Sequence, residues 1–209
     1  MTIPTLPHFV LLGLGFALSL LTFSGAFGPY LTWAGEPLSA RLLTLFLLPI
    51  TATAVYVLVH SLLKHRAAPA ADNDSADAAV ESILFWVLVF LIGVHGVLVA
   101  VLLRVWWVEP WAARGVVVLL GIATGAIGNL LPRTRPNAAI GFRTARTLED
   151  RRLWMLTHRV GGYLCVAVGV TTILAGALAR GTQVAAVPFF ALVVAAATLL
   201  VYYIRLSRA

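Results

Sequence analysis

The side chains in this sequence able to do chemistry are few, and most sit among apolar neighbours. His158 stands beside Arg159 where a long apolar run begins. It reads two ways: as a proton-sensitive or substrate-contacting group at the mouth of a helix bundle, or as an interfacial ring hydrogen-bonded to the basic segment before it. His95 falls in the middle of another apolar run, flanked by Gly93 and Gly96. A polar group there marks either an intramembrane functional site or a buried histidine satisfied at a close helix contact. His60 lies near the end of its own apolar run. A bis-histidine haem needs two rings at similar depth, which His60 and His95 do not offer, so no haem is expected. No HExxH is present, and the acids nearest His158 in sequence are Glu149 and Asp150. Cys165 is the one cysteine, which excludes an intrachain disulfide and any multi-cysteine metal centre and leaves a small buried hydrophobe as its reading. Without a Ser-His-Asp set, a Walker loop or a dinucleotide fingerprint, the expectation is a protein that is not an enzyme and holds neither metal nor other cofactor.

Arginine is the exception to this scarcity. The formal charge is +7 over 209 residues, and Lys64 is the sole lysine. The arginines flank apolar runs, so membrane orientation and attraction to anionic headgroups explain them better than nucleic-acid binding. Asn129, Arg143 and Arg146 together could line a polar vestibule. Guanidinium groups grip carboxylate or phosphate through two parallel bonds, which suits an anionic headgroup or an acidic partner surface. The plainer reading of these arginines is topology signalling alone.

The elements that must carry these groups follow from composition. Hydrophobic residues make up 61% of the chain and charged residues 11%. A soluble domain is nearer one half and one quarter, so lipid is the solvent for the excess. A spanning helix takes roughly 20 apolar residues. The sequence supplies six such runs, at about 9–30, 42–63, 82–103, 115–131, 160–178 and 185–203. The first apolar run follows a stretch without Lys or Arg and outlasts a signal-peptide core, so it is expected to be a retained helix. Gly25, Gly28 and Pro29 end it, and Pro49 is expected to bend the second run. Ala67 to Ala79 reads as a short polar linker. Trp106, Trp107 and Trp111 suit an interfacial belt. Gly121, Gly125 and Gly128 let another helix approach closely. The fold class is therefore all-α: a polytopic membrane bundle of about six helices forming a single membrane domain over 1–209.

With both termini in the cytoplasm, eleven of the fifteen Lys and Arg residues fall on the cytoplasmic side, as the positive-inside rule demands. An even number of spans is needed to keep that pattern. The basic cytoplasmic loop covers 132–159. Within it Pro132 and Pro136 stop the fourth helix, and Asn137 and Gly141 suit tight turns. Thr147 looks like an N-cap with Asp150 three residues on, close to a capping box. This predicts a short, basic, interfacial helix near 147–157, with Leu148, Arg151, Arg152 and Met155 at i, i+3, i+4 and i+7 and Trp154 as anchor.

The order of residue types in this loop is specific. Gly128-Asn129, Pro136-Asn137, Ile140-Gly141, Arg143-Thr144, Thr147-Leu148, Trp154 and Thr157-His158-Arg159, followed by Gly161 and Gly162, resemble the SdpI family of bacterial membrane proteins. Leu47-Leu48-Pro49 in the second run suits the family as well. The resemblance implies a site built from Asn129, Pro136, Asn137, Gly141, Arg143, Thr144, Thr147, Trp154, Thr157, His158 and Arg159. It implies residence in the bacterial cell (inner) membrane and a role in immunity or signalling. The founding member protects its producer from a secreted membrane-active toxin and holds a transcriptional autorepressor at the membrane. A peptide toxin and a cytoplasmic repressor are therefore the implied partners, beside anionic lipid. Relatives often carry a His-containing segment after the first helix. Pro29 to Pro37 here contains no histidine, so toxin identity does not carry over. The competing expectation is a small transporter or lipid-handling protein with Asn129, His95 and His158 around a cavity.

Overall fold

The computed structural model describes residues 6–26, 37–64, 74–137 and 139–208. Its helices are α1 (Leu6–Phe23), α2 (Leu38–Lys64), α3 (Asp74–Leu102), α4 (Ala112–Leu130), α5 (Ala145–Glu149), α6 (Arg151–Leu178) and α7 (Gln183–Arg208). Single 3₁₀ turns at Glu109–Trp111 and Leu131–Arg133 flank α4. The described residues contain no strand. Among the described residues six helices are long and apolar enough to cross a membrane, and α5 is not one of them. The chain is a polytopic helical bundle whose outer surface is largely leucine, valine and phenylalanine side chains, as a lipid solvent requires.

Two sequence expectations change at the helix ends. The linker read over 67–79 is shorter: residues 74–79 are already the first turns of α3, consistent with alanine's helix propensity. Residues 67–73 lie outside the described residues, as do 29–36 of the segment after α1. The basic helix read over 147–157 is divided. Thr144, not Thr147, is its N-cap, and Thr144 and Thr147 each accept the other's backbone N–H. Asp150 then leaves helical geometry (φ −106°, ψ 106°) and recaps the chain, accepting from the amides of Arg152 and Leu153. Residues 151–157 are thus the opening turns of the spanning helix α6, and the separate short helix is α5 alone.

Packing divides into two regions. Helices α1, α2 and α3 enclose a core of Leu12, Ala52, Tyr56, Leu84 and Leu88. Helices α4 and α6 meet backbone to backbone. A Cβ on Gly121 would lie 2.7 Å from the Gly169 carbonyl, and one on Gly162 would lie 2.6 Å from that of Gly128. No side chain fits there, and van der Waals contact over such a seam is what associates helices in lipid. Helix α7 packs chiefly on α6 and buries no residue fully. Arg114 in α4 closes the far end of α6 by donating to the carbonyls of Ala177 and Ala179 at 3.4 and 2.7 Å. That placement returns the last two-turn carbonyls of α6 to a partner they would otherwise lack.

Candidate functional site

The loop between α4 and α6 is a hydrogen-bonded knot built from the motif residues. Asn137 begins it: its Oδ1 accepts from the amides of Ala139 and Ile140 at 2.9 and 2.8 Å, and its Nδ2 donates to the Arg135 carbonyl at 2.8 Å. An asparagine that satisfies neighbouring backbone in this way fixes a turn without a helix or a strand. Gly141 follows with φ +121°, a backbone conformation open to glycine and costly for other residues. A Cβ here would also run into His158 Nε2 and approach Trp154 Cη2 to 3.1 Å.

Trp154 and His158, one turn apart on α6, form the floor under that glycine. Their rings stack at 3.8 Å and 13°, and each is 1% exposed. The Trp154 indole N–H donates to the Thr134 carbonyl at 3.1 Å. His158 Nδ1 donates to the Trp154 carbonyl at 2.8 Å, and Nε2 accepts from the Phe142 amide at 3.0 Å. A backbone carbonyl can only accept and a backbone N–H can only donate, so the ring is neutral, protonated on Nδ1, and both nitrogens are used. Of the two sequence readings of His158, this geometry matches the ring bonded to the loop.

The knot then reaches α7. Thr147 hydroxyl accepts from the Thr144 amide at 2.8 Å and donates to the Phe142 carbonyl at 3.0 Å. Thr144 hydroxyl accepts from Tyr203 OH at 3.0 Å, and the Phe142 and Tyr203 rings meet edge to face at 5.1 Å. Arg146 donates to the Ser207 carbonyl at 2.6 Å, closing the last turn of α7 where a cation is favoured. Thr157 turns its hydroxyl back on the carbonyls of Leu153 and Trp154. Pro136 is half-buried at the start of the turn.

The remaining motif positions face outward. Arg143 and Arg159 are exposed, with Arg159 Nε donating to Tyr163 OH at 3.3 Å. Arg133, Arg151, Arg152, Arg205 and Arg208 are exposed on the same end of the bundle. Asn129 is exposed on α4 and takes no part in the knot. The arrangement presents a guanidinium-rich surface on a fixed backbone.

His95 is the separate intramembrane position, and the structure gives it a structural task. Pro49 has no N–H for the Leu45 carbonyl one turn back. Ser19 hydroxyl from α1 supplies the missing donor at 2.7 Å, with Gly15 O a second acceptor at 3.0 Å. With the hydroxyl proton so used, His95 Nε2–H from α3 donates to Ser19 Oγ at 3.0 Å. One proline thereby ties three helices together.

A second polar cluster went unread in the sequence. His8, His60 and Glu81 come from α1, α2 and α3 and meet at the end that carries the basic loop. The readable signal was Glu81, a carboxylate adjoining an apolar run with histidines at the ends of two others. Among the described residues no group of three His, Cys, Asp or Glu side chains is placed to hold a metal ion.

Neither the curated proteins nor the solved structures provide a match to this chain. Residues 133–203, which span the loop, α5, α6 and most of α7, match the model of the SdpI/YfhL protein family. The stretch of this membrane protein that is similar to that family is therefore the one holding the knot, its exposed arginines and the two helices that carry them.

Proposed function

We propose that this protein works in a bacterial cell membrane as an SdpI-type immunity protein or signal receptor, with both termini and the basic loop in the cytoplasm. The arginine surface of the loop engages a cytoplasmic partner or anionic headgroups when a membrane-active peptide is present. The observation that carries this reading is the division of labour in the motif. Its buried members, Asn137, Thr147, Trp154, Thr157 and His158, bond the loop to itself and to α6, while Arg143 and Arg159 are exposed on it. A rigid loop keeps its cations in one arrangement and so lowers the ordering cost of binding. A surface meant only to signal topology needs the charge but not the scaffold.

The test is a killing assay. A strain lacking this protein is challenged with conditioned medium from the producer, with wild type or the Arg143→Ala/Arg159→Ala double variant restored. The expected result is protection by wild type and its loss in the variant, at equal membrane abundance. Full protection by the double variant rejects the role of the surface. Labelling of Arg143→Cys by an impermeant thiol reagent from outside intact cells would overturn the orientation.

A further inference from the structure

Arg114 and Arg146 spend their guanidinium groups on backbone carbonyls. Arg159 does not. Its Nε donates to the Tyr163 hydroxyl one turn along α6, at 3.3 Å. That bond orients the guanidinium and leaves the N–H bonds of both terminal nitrogens to be given. Tyr163 accepts in this bond, so its own O–H proton is still to be given as well. Neither side chain makes another hydrogen bond among the described residues. Tyr202 of α7 also lies near the guanidinium.

The pair stands on the lipid-facing side of α6. Arg159, Tyr163, Val166, Val170 and Leu174 recur at i, i+4, i+7, i+11 and i+15, which is one helix face, and each of them is exposed. The two polar members are at the end that carries the basic loop, and the rest of the face is apolar. From Tyr163 to Leu174 it runs about 16 Å at a rise of ~1.5 Å per residue. One leaflet is about half of a hydrocarbon core of roughly 30 Å. The donors and the apolar track are thus spaced as the headgroup and acyl chain of a phospholipid are.

The donors also select the headgroup. A planar cation with a hydroxyl proton beside it suits a phosphate oxyanion. The nearby carboxylate of Asp150 does not compete for it, being bonded to the amides of Arg152 and Leu153. A choline headgroup would bring its own cation toward the end of the bundle that also holds Arg205 and Arg208, whereas an anionic lipid brings none. We propose that Arg159 and Tyr163 hold the phosphate of an anionic phospholipid whose acyl chain lies along Val166, Val170 and Leu174. The proposal rests on the headgroup reading of the arginine surface and divides that surface: Arg159 serves the bilayer, and Arg143, on the loop, is left for a cytoplasmic partner.

Native mass spectrometry of the full-length protein, released from micelles doped equally with phosphatidylglycerol and phosphatidylcholine, reads the preference. Titration calorimetry with inorganic phosphate reads the free anion, which shares the headgroup's chemistry. Wild type is expected to retain phosphatidylglycerol about tenfold over phosphatidylcholine and to give no heat with phosphate. The preference should be lost in Arg159→Gln, reduced in Tyr163→Phe and kept in Arg208→Gln. Arg159 and Tyr163 are exposed, so neither substitution threatens the fold. Equal retention of the two lipids overturns the proposal, and phosphate heat that Arg159→Gln abolishes would then assign the pair to a soluble anion. A preference that Arg159→Gln leaves intact, or that Arg208→Gln removes as fully, also overturns it, because the selectivity then belongs to net charge and not to this pair. The killing assay reads protection and mass spectrometry reads bound lipid, so either reading can fail while the other stands.

Discussion

Replacing His158 by phenylalanine should open the basic loop while leaving the bundle assembled. Phenylalanine keeps a flat ring against Trp154, whose stack with His158 is close at 3.8 Å. It removes the acceptor for the Phe142 amide and the donor to the Trp154 carbonyl. The second loss is small, because that carbonyl still accepts from the backbone N–H four residues on. The first loss leaves a buried backbone donor without a partner, at a cost of about 1–3 kcal/mol. Taking about 2 kcal/mol, and tenfold per 1.4 kcal/mol, the open population of the loop rises roughly 30-fold. Trypsin reads this directly, since Arg143 and Arg146 closely follow the clasped Phe142, and cleavage tracks the open population when opening is fast. Detergent-solubilised His158→Phe should be cut at these residues more than tenfold faster than wild type, with helical content unchanged. A cleavage rate within twofold of wild type would refute the argument that the ring is the clasp. It would return His158 to the alternative of a group that meets a substrate.

Gly141→Ala should act at the same clasp from the other side, through both the φ of +121° and the collision with His158 Nε2. It is expected to match or exceed the His158→Phe effect in the same trypsin assay. Ser19→Ala should orphan the Leu45 carbonyl and leave His95 Nε2 without its acceptor. A loss of about 1–3 kcal/mol per buried group left unpaired should lower the midpoint of thermal unfolding in detergent, whereas Ser24→Ala, at an exposed hydroxyl bonded within its own turn, should not.

The spans were legible because lipid imposes one simple demand, a long apolar run, and the chain meets it six times. Half of the glycine seam was legible too: Gly121, Gly125 and Gly128 announced a close approach. Their partners, Gly162 and Gly169, lie some forty residues away on α6, and nothing local pairs them. The motif residues were legible as a set, but their tasks were not. His158 to Phe142, Trp154 to Thr134 and Tyr203 to Thr144 are bonds across the loop or between helices, and sequence spacing does not report them. The cap shows the same limit at short range. Thr144 and Thr147 are equally good N-caps by residue type. The choice falls to Thr144 because Thr147 hydroxyl is drawn to the Phe142 carbonyl, a bond that exists only once the turn has formed. Glu81 was hidden by segmentation, since it falls between a linker read as ending at Ala79 and an apolar window that begins at Ser82.

These tasks change how a motif of this kind should be read. Most of its members turn inward and satisfy one another or the backbone, so losing any of them will damage function through the loop's shape. Arg143 and Arg159 have no such internal duty, apart from the bond of Arg159 to Tyr163. A variant that abolishes activity at Trp154 or His158 therefore says little about contact with a partner, because the same variant frees the loop. The discriminating comparison is between substitutions that loosen the loop and keep its charge and substitutions that keep the loop and remove its charge. If His158→Phe and Arg143→Ala/Arg159→Ala both lose protection, and only the first becomes open to trypsin, rigidity and charge are separate requirements. If the charge-removing variant alone loses protection, the surface works without its scaffold, and the knot serves the stability of α6 and α7 instead.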